Sequence, residues 1–140
     1  NKMAILFMDL NGFKPVNDNY GHRAGDTVLK VIAERLRGSM RGADTVARFG
    51  GDEFVVALAD IKKGVHTSLV AKRIMSQIEQ PVVIDNDLQV TVSASIGIAL
   101  YPDDDSSIQN LIKKADDAMY RAKNSRNGYL FYDMHKIFSN

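Results

Sequence analysis

The sequence contains no cysteine, only three prolines and almost no net charge, +1 from 18 basic and 17 acidic residues. Without thiols, disulfides and thiolate metal sites are excluded, which fits a reducing cytoplasm. The balanced charge provides no global field to draw in nucleic acid or an anionic membrane. No nucleic-acid partner is expected, and any phosphate must be held by locally placed charge. Long apolar runs are also missing. Met3 to Met8 is among the longest, far short of the roughly 20 residues a membrane span needs. No secretory leader is legible. The chain opens directly on a strand-like run and is read as an excerpt from a longer protein.

What is present fits one domain. The chain has 140 residues, enough to bury about 68–70% of the surface its unfolded form exposes. Its 45% hydrophobic and 25% charged residues are ordinary for a globular protein. Residues 3–8, continuously apolar, predict a strand buried on both faces. Val28, Ile32 and Leu36 recur at i+4 and predict a helix over 24–40. The runs 45–49 and 54–58 flank Gly50-Gly51 and predict a hairpin. A second helix is expected over 65–79, stopped by Pro81, followed by a small hairpin at 82–84 and 88–90. A strand over 91–100, a helix over 107–123 and a strand over 128–132 complete the order, and 133–140 is read as a tail or linker start. The fold class expected is α+β, with a ferredoxin-like β-α-β-β-α-β core, an extra small hairpin, and helices packed on one face of a mainly antiparallel sheet.

Three groups of residues carry chemistry. Asp9 stands where a buried strand ends, a rigid place for a metal ligand. Taken alone it also reads as a solvated strand-end acid. Gly50 and Gly51 allow positive φ and close approach of a ligand, and Asp52 and Glu53 follow at the tip. Taken alone this is also an ordinary hairpin turn. In a β-α-β-β unit, however, the first strand and the hairpin lie side by side, so Asp9 and Asp52 meet. Carboxylates held together repel unless a cation neutralises them, and paired oxygens plus substrate phosphates suit Mg²⁺, or Mn²⁺. In the stretch from Phe13 to Asp26, Lys14 can reach phosphate. Asn17 and Asp26 can hydrogen-bond guanine, although each also reads as a polar turn or first-turn residue.

The blocks Phe7 to Leu29, Arg48-Phe49-Gly50-Gly51-Asp52-Glu53-Phe54, Ser95 to Pro102 and Ala115 to Lys123 resemble, in order and spacing, the GGDEF family of diguanylate cyclases. The resemblance covers residues 3–132. It implies a fold related to nucleotidyl-cyclase and polymerase-palm domains, and condensation of two GTP molecules into cyclic di-GMP by two-metal phosphoryl chemistry across a homodimer. Position by position, it implies Asp9, Asp52 and the Leu10 carbonyl as metal ligands, and Glu53 as a further metal or catalytic acid. Asn17 and Asp26 would read guanine. Phe13, Lys14, Lys123 and Arg126 would lie on the substrate side, with Gly50 and Gly51 against the nucleotide. Arg41 and Asp44 resemble the family's inhibitory product site, and His22 is expected to support its loop. His66 and His135 are expected at the surface. Covalently linked sensory or phosphodiesterase domains are expected partners, and the segment is read as cytoplasmic, alone or beneath a membrane-anchored sensor.

Three features depart from the family pattern. The usual leading helix and DxLTxLxNR segment are missing, the third acid of the first block is Asn11, and the segment after Lys123 is one residue short, which loosens the match of Arg126. Besides an active cyclase, two rival readings are a regulatory module that binds GTP or cyclic di-GMP without turnover, and a dimerisation domain.

Overall fold

The computed structural model describes residues 2–85 and 87–133. Strand β1 (Lys2–Asn11) leads to helices α1 (Phe13–Tyr20) and α2 (His22–Gly38). Strands β2 (Thr45–Gly50) and β3 (Glu53–Ile61) form a hairpin. After a single 3₁₀ turn, Gly64–His66, comes α3 (Thr67–Ile78). The small hairpin β4 (Val82–Asp85) and β5 (Leu88–Val90), strand β6 (Ser93–Tyr101), helix α4 (Ile108–Ser125) and strand β7 (Tyr129–Phe131) follow. The five-stranded sheet runs β2-β3-β1-β6-β7, and β4-β5 stands apart as a two-stranded sheet. Among the described residues, only the β6–β7 pair is parallel. The first four strands of that order are the ferredoxin-like arrangement expected from the sequence, with β1 at the centre. Residues 134–140, which hold His135 and most of the expected tail, lie outside the described residues.

Two expectations are corrected. The helices do not share one face. Ala4, Leu6, Met8 and Leu10 of β1 enter the larger core with Val28, Ile32 and Leu36 of α2 and Ile74 and Ile78 of α3. Ile5 and Phe7 enter a second core with Leu111, Ala115 and Met119 of α4. The cause is burial. The central strands are apolar on both faces, and α4 covers the face that α2 and α3 leave open, where Ile5, Phe7 and Ala99 point. The second correction is α1, a helix that was not among the expected elements. Asn17, Asp18 and Asn19 are weak helix formers. The segment is helical because Phe13 and Val16 are buried in the core and Gly12, at φ 82°, turns the chain off β1 at a backbone angle few side chains tolerate.

Strand β6 shows how the second face is built. Gly97 and Ala99 face α4, while Ile96, Ile98 and Leu100 face the larger core. A methyl group at Gly97 would stand 1.9 Å from the Ala115 carbonyl oxygen and 2.2 Å from the Met119 nitrogen. The helix therefore lies directly on the strand backbone. Arg35 ties α2 to the end of α3, donating to the carbonyls of Gln80 at 2.8 Å and Pro81 at 2.7 Å.

Candidate active site

Side chains alternate faces along a strand, and on β1 that alternation decides what meets what. Asp9 continues the series of Ile5 and Phe7, so its carboxylate lies on the α4 face, just beyond the apolar core. Glu53 of β3 is its direct cross-strand partner, and the Leu10 N–H donates to the Asp52 carbonyl at 3.2 Å, which pins the hairpin tip to β1. Lys123 of α4 donates from Nζ to Asp9 Oδ2 at 2.6 Å. Asp9 and Asp52 are thus neighbours, as the strand argument requires.

The electrostatics follow from crowding. Burial, and then the Asp9 carboxylate, raise Asp52 above its ordinary value despite the opposing pull of Lys123. Glu53 is raised by burial and by Asp9, Asp116 and Asp52. Asp116 is raised by burial and by Asp117 and Asp9. A carboxyl whose folded pKa is raised holds its proton more tightly in the fold than in the open chain. At neutral pH these charges oppose folding, and the opposition lifts as pH falls through the folded values. Sequence reading did not single out Asp116. It lies seven residues before Lys123, two turns along the same helix face, and that spacing was the available signal.

The residues fit a hard divalent cation. Asp9 Oδ1 is buried and has no hydrogen-bond partner, beside a second carboxylate whose charge is disfavoured. Among the described residues, no group of three or more acids, histidines or cysteines is arranged to hold a metal alone.

The other expected residues divide. Neither Gly50 nor Gly51 adopts positive φ, so the conformational argument for them does not hold. A Cβ on Gly51 would meet nothing within 4 Å, and one on Gly50 would meet only the Glu53 carboxylate, at 2.9 Å. The strand register slips between Arg48 and Gly50, which leaves Phe49 exposed and edge-on to Phe7 at 5.8 Å. Leu10 and Phe13 have core side chains, so only their backbone atoms can serve a ligand. Lys14 is exposed on the first turn of α1, whose N-terminus has no side-chain cap. Asn17 packs against Gly25, the residue before exposed Asp26. Arg126 is exposed at the left-handed C-cap of α4. Asn11, in place of a third acid, bonds Ser93 and Ser95 Oγ at 3.2 and 3.0 Å and knits β1 to β6. His22 is exposed at the start of α2.

Arg41 and Asp44 lie away from the acids, on the wall of a cavity of about 490 Å³ between the end of α2, the end of β3 and the start of α3. The Asp44 side chain is only 3% exposed. It accepts from the Ala59 and Arg41 backbone N–H groups, each at 3.0 Å. Burial alone would raise its pKa, but these bonds and the Arg41 guanidinium hold it below its ordinary value. The acid is committed to shaping the loop, whereas the Arg41 side chain is 64% exposed. Sequence reading missed Lys62, His66 and Arg73, which line the same cavity.

A mainly antiparallel sheet with carboxylates at the end of its central strand, and helices on both faces, is the architecture of nucleotidyl-cyclase palms. The family model described as "Diguanylate cyclase, GGDEF domain" matches residues 1–128, and the chain belongs to that family. It is 48% identical over 133 residues to the bifunctional diguanylate cyclase/cyclic di-GMP phosphodiesterase MucR of Pseudomonas aeruginosa, an alignment covering 94% of this chain and 19% of MucR. It is 44% identical over 127 residues to the diguanylate cyclase TpbB of the same species, covering 91% of this chain and 29% of TpbB. The crystal structure of the GGDEF domain of YfiN, or TpbB, superposes with a TM-score of 0.90 at 42% identity, covering 95% of this chain and 83% of that one. The chain thus spans less than a third of the length of these two curated relatives.

Proposed function

We propose that this chain, as one GGDEF domain, is a diguanylate cyclase that condenses two GTP into cyclic di-GMP and two pyrophosphates. The observation that carries the reading is the acid pair across β1 and β3, Asp9 beside Asp52 and opposite Glu53, with one Asp9 oxygen buried and unpartnered. Asp9, Asp52 and the Leu10 carbonyl would hold Mg²⁺ or Mn²⁺, with Glu53 in reserve. A bound divalent ion lowers the pKa of the attacking hydroxyl and neutralises charge at the in-line transition state. The 3′-oxygen of one GTP bonds to the α-phosphorus of the other, and the bond to pyrophosphate breaks. The hydroxyl proton passes to Asp52 or Glu53, whose raised pKa values suit a proton acceptor. Lys14, Lys123, Arg126 and the uncapped N-terminus of α1 face the phosphates. Asn17 and Asp26 read guanine.

Each domain presents one GTP, so the active form is a homodimer with the site across its two-fold axis. In the longer protein the domain is linked to sensory or phosphodiesterase modules on the cytoplasmic side. Purified protein given Mg²⁺ should yield a cyclic dinucleotide from GTP and none from ATP, and equal turnover of ATP would refute the guanine reading. Gly25→Ala provides a finer check, because its Cβ would stand 1.8 Å from the Asn17 side-chain oxygen. KM for GTP is expected to rise about tenfold or more, the scale of a displaced polar contact, while the melting temperature changes little. An unchanged KM would remove Asn17 from the recognition site.

The cavity at Arg41 supports product inhibition. Arg41 would grip a phosphate of cyclic di-GMP, and Asp44 would hold Arg41 in place. Arg41→Ala should leave the initial rate intact and flatten the slowing that follows product accumulation. Progress curves that still slow as before would dismiss the site.

A further inference from the structure

Lys123 makes a contact that a phosphate-binding role does not require. Its ammonium sits 2.6 Å from Asp9 Oδ2, on a carboxylate read as a metal ligand. We propose that Lys123 is the resident counter-ion of the metal site, holding the place of positive charge until the divalent ion arrives and then turning to the phosphates that arrive with it. The inference rests on the reading of Asp9 and Asp52 as metal ligands.

The two partners differ in freedom. The Asp9 side chain is 15% exposed and fixed at a strand end, whereas that of Lys123 is 43% exposed on a flexible four-carbon stem. Helix α4 already lies on the strand backbone at Gly97 and can come no closer, so the movement needed is supplied by the Lys123 side chain. One ammonium is also too little for the site. With Lys123 in place, Asp9 Oδ1 remains buried and unpartnered, and Glu53 stands directly across from Asp9. A divalent ion on Asp9 would stand within a few ångströms of the ammonium. Like charges that close repel strongly, so the ion and Lys123 compete for the same carboxylate. A phosphate brought in with the metal gives the displaced ammonium a new partner.

The consequence is a split in sign between two affinities. Mn²⁺ binding to the nucleotide-free protein can be followed by the loss of the free-ion paramagnetic resonance signal. Lys123→Met should tighten it measurably, by up to about fivefold, the scale of a half-exposed ion pair. Binding of a non-hydrolysable GTP analogue with Mg²⁺ should weaken about tenfold or more. Mn²⁺ affinity that is unchanged or weaker in Lys123→Met would overturn the proposal. Lys123→Gln, one atom shorter but still a donor and uncharged, repeats the comparison should the methionine variant melt early. Asp9→Asn separates the two ideas. If it leaves Mn²⁺ binding intact, the metal reading itself fails. If it abolishes binding while both Lys123 variants match the parent, only the counter-ion role fails.

Discussion

Asp52→Ala is expected to reduce cyclic di-GMP formation by a factor on the order of 10³ or more, since it removes both a metal ligand and a candidate proton acceptor. The sign of its stability effect is equally specific. Burial and the Asp9 carboxylate disfavour the Asp52 charge, so its removal relieves a repulsion. The melting temperature of the metal-free variant should be unchanged or slightly higher than that of the parent. A large fall in melting temperature would mean that Asp52 holds the hairpin together and that lost activity reports lost structure. Product formed at the parental rate would remove Asp52 from the chemistry altogether.

Gly97→Ala should have the largest effect on stability of any small substitution considered. The added methyl group would meet the backbone atoms of Ala115 and Met119 at 1.9 and 2.2 Å, which no rotamer change can relieve. Either α4 lifts from the sheet or β6 bends. The cost is at the upper end of overpacking, about 3 kcal/mol, a fall in melting temperature on the order of 10 °C. Because α4 carries Lys123 and Asp116 to the acid cluster, GTP affinity should fall with it at temperatures where the variant remains folded. A melting temperature within a degree or two of the parent would show that α4 does not rest on β6 as described.

Most of the sheet could be read from the sequence because its signals are local. The continuous apolar run at 3–8, the flanked turn at 50–53 and the break at Pro81 each reflect a physical constraint within a few residues. What escaped was decided at longer range. Helix α1 is made of residues that favour turns and is stabilised by two buried side chains, so tertiary packing overrides its propensity. The side of the sheet taken by α4 is set by the apolar face that α2 and α3 leave uncovered, which no periodicity within α4 encodes.

The candidate site divides in the same way. Asp9, Asp52 and Glu53 could be placed together from strand order alone, and the register does bring Asp9 opposite Glu53. Asp116 was passed over because an acid on an exposed helix face usually faces only solvent; here its helix lies over the strand that ends in Asp9. Gly50 and Gly51 were expected to be glycine for their backbone angles and for close approach of a ligand; neither adopts positive φ. Asp44 was expected beside Arg41 in the product site, and its carboxylate is turned inward to the Ala59 and Arg41 amides. Its short spacing from Arg41 cannot distinguish a ligand contact from a loop contact.

The most direct measurement is mass spectrometry of the products after the purified protein is incubated with GTP and Mg²⁺. The proposed activity requires cyclic di-GMP with two pyrophosphates for each molecule formed, and no such product from Asp52→Ala. Tight binding of GTP with no cyclic dinucleotide, under conditions where the protein is folded and the metal is bound, would contradict it.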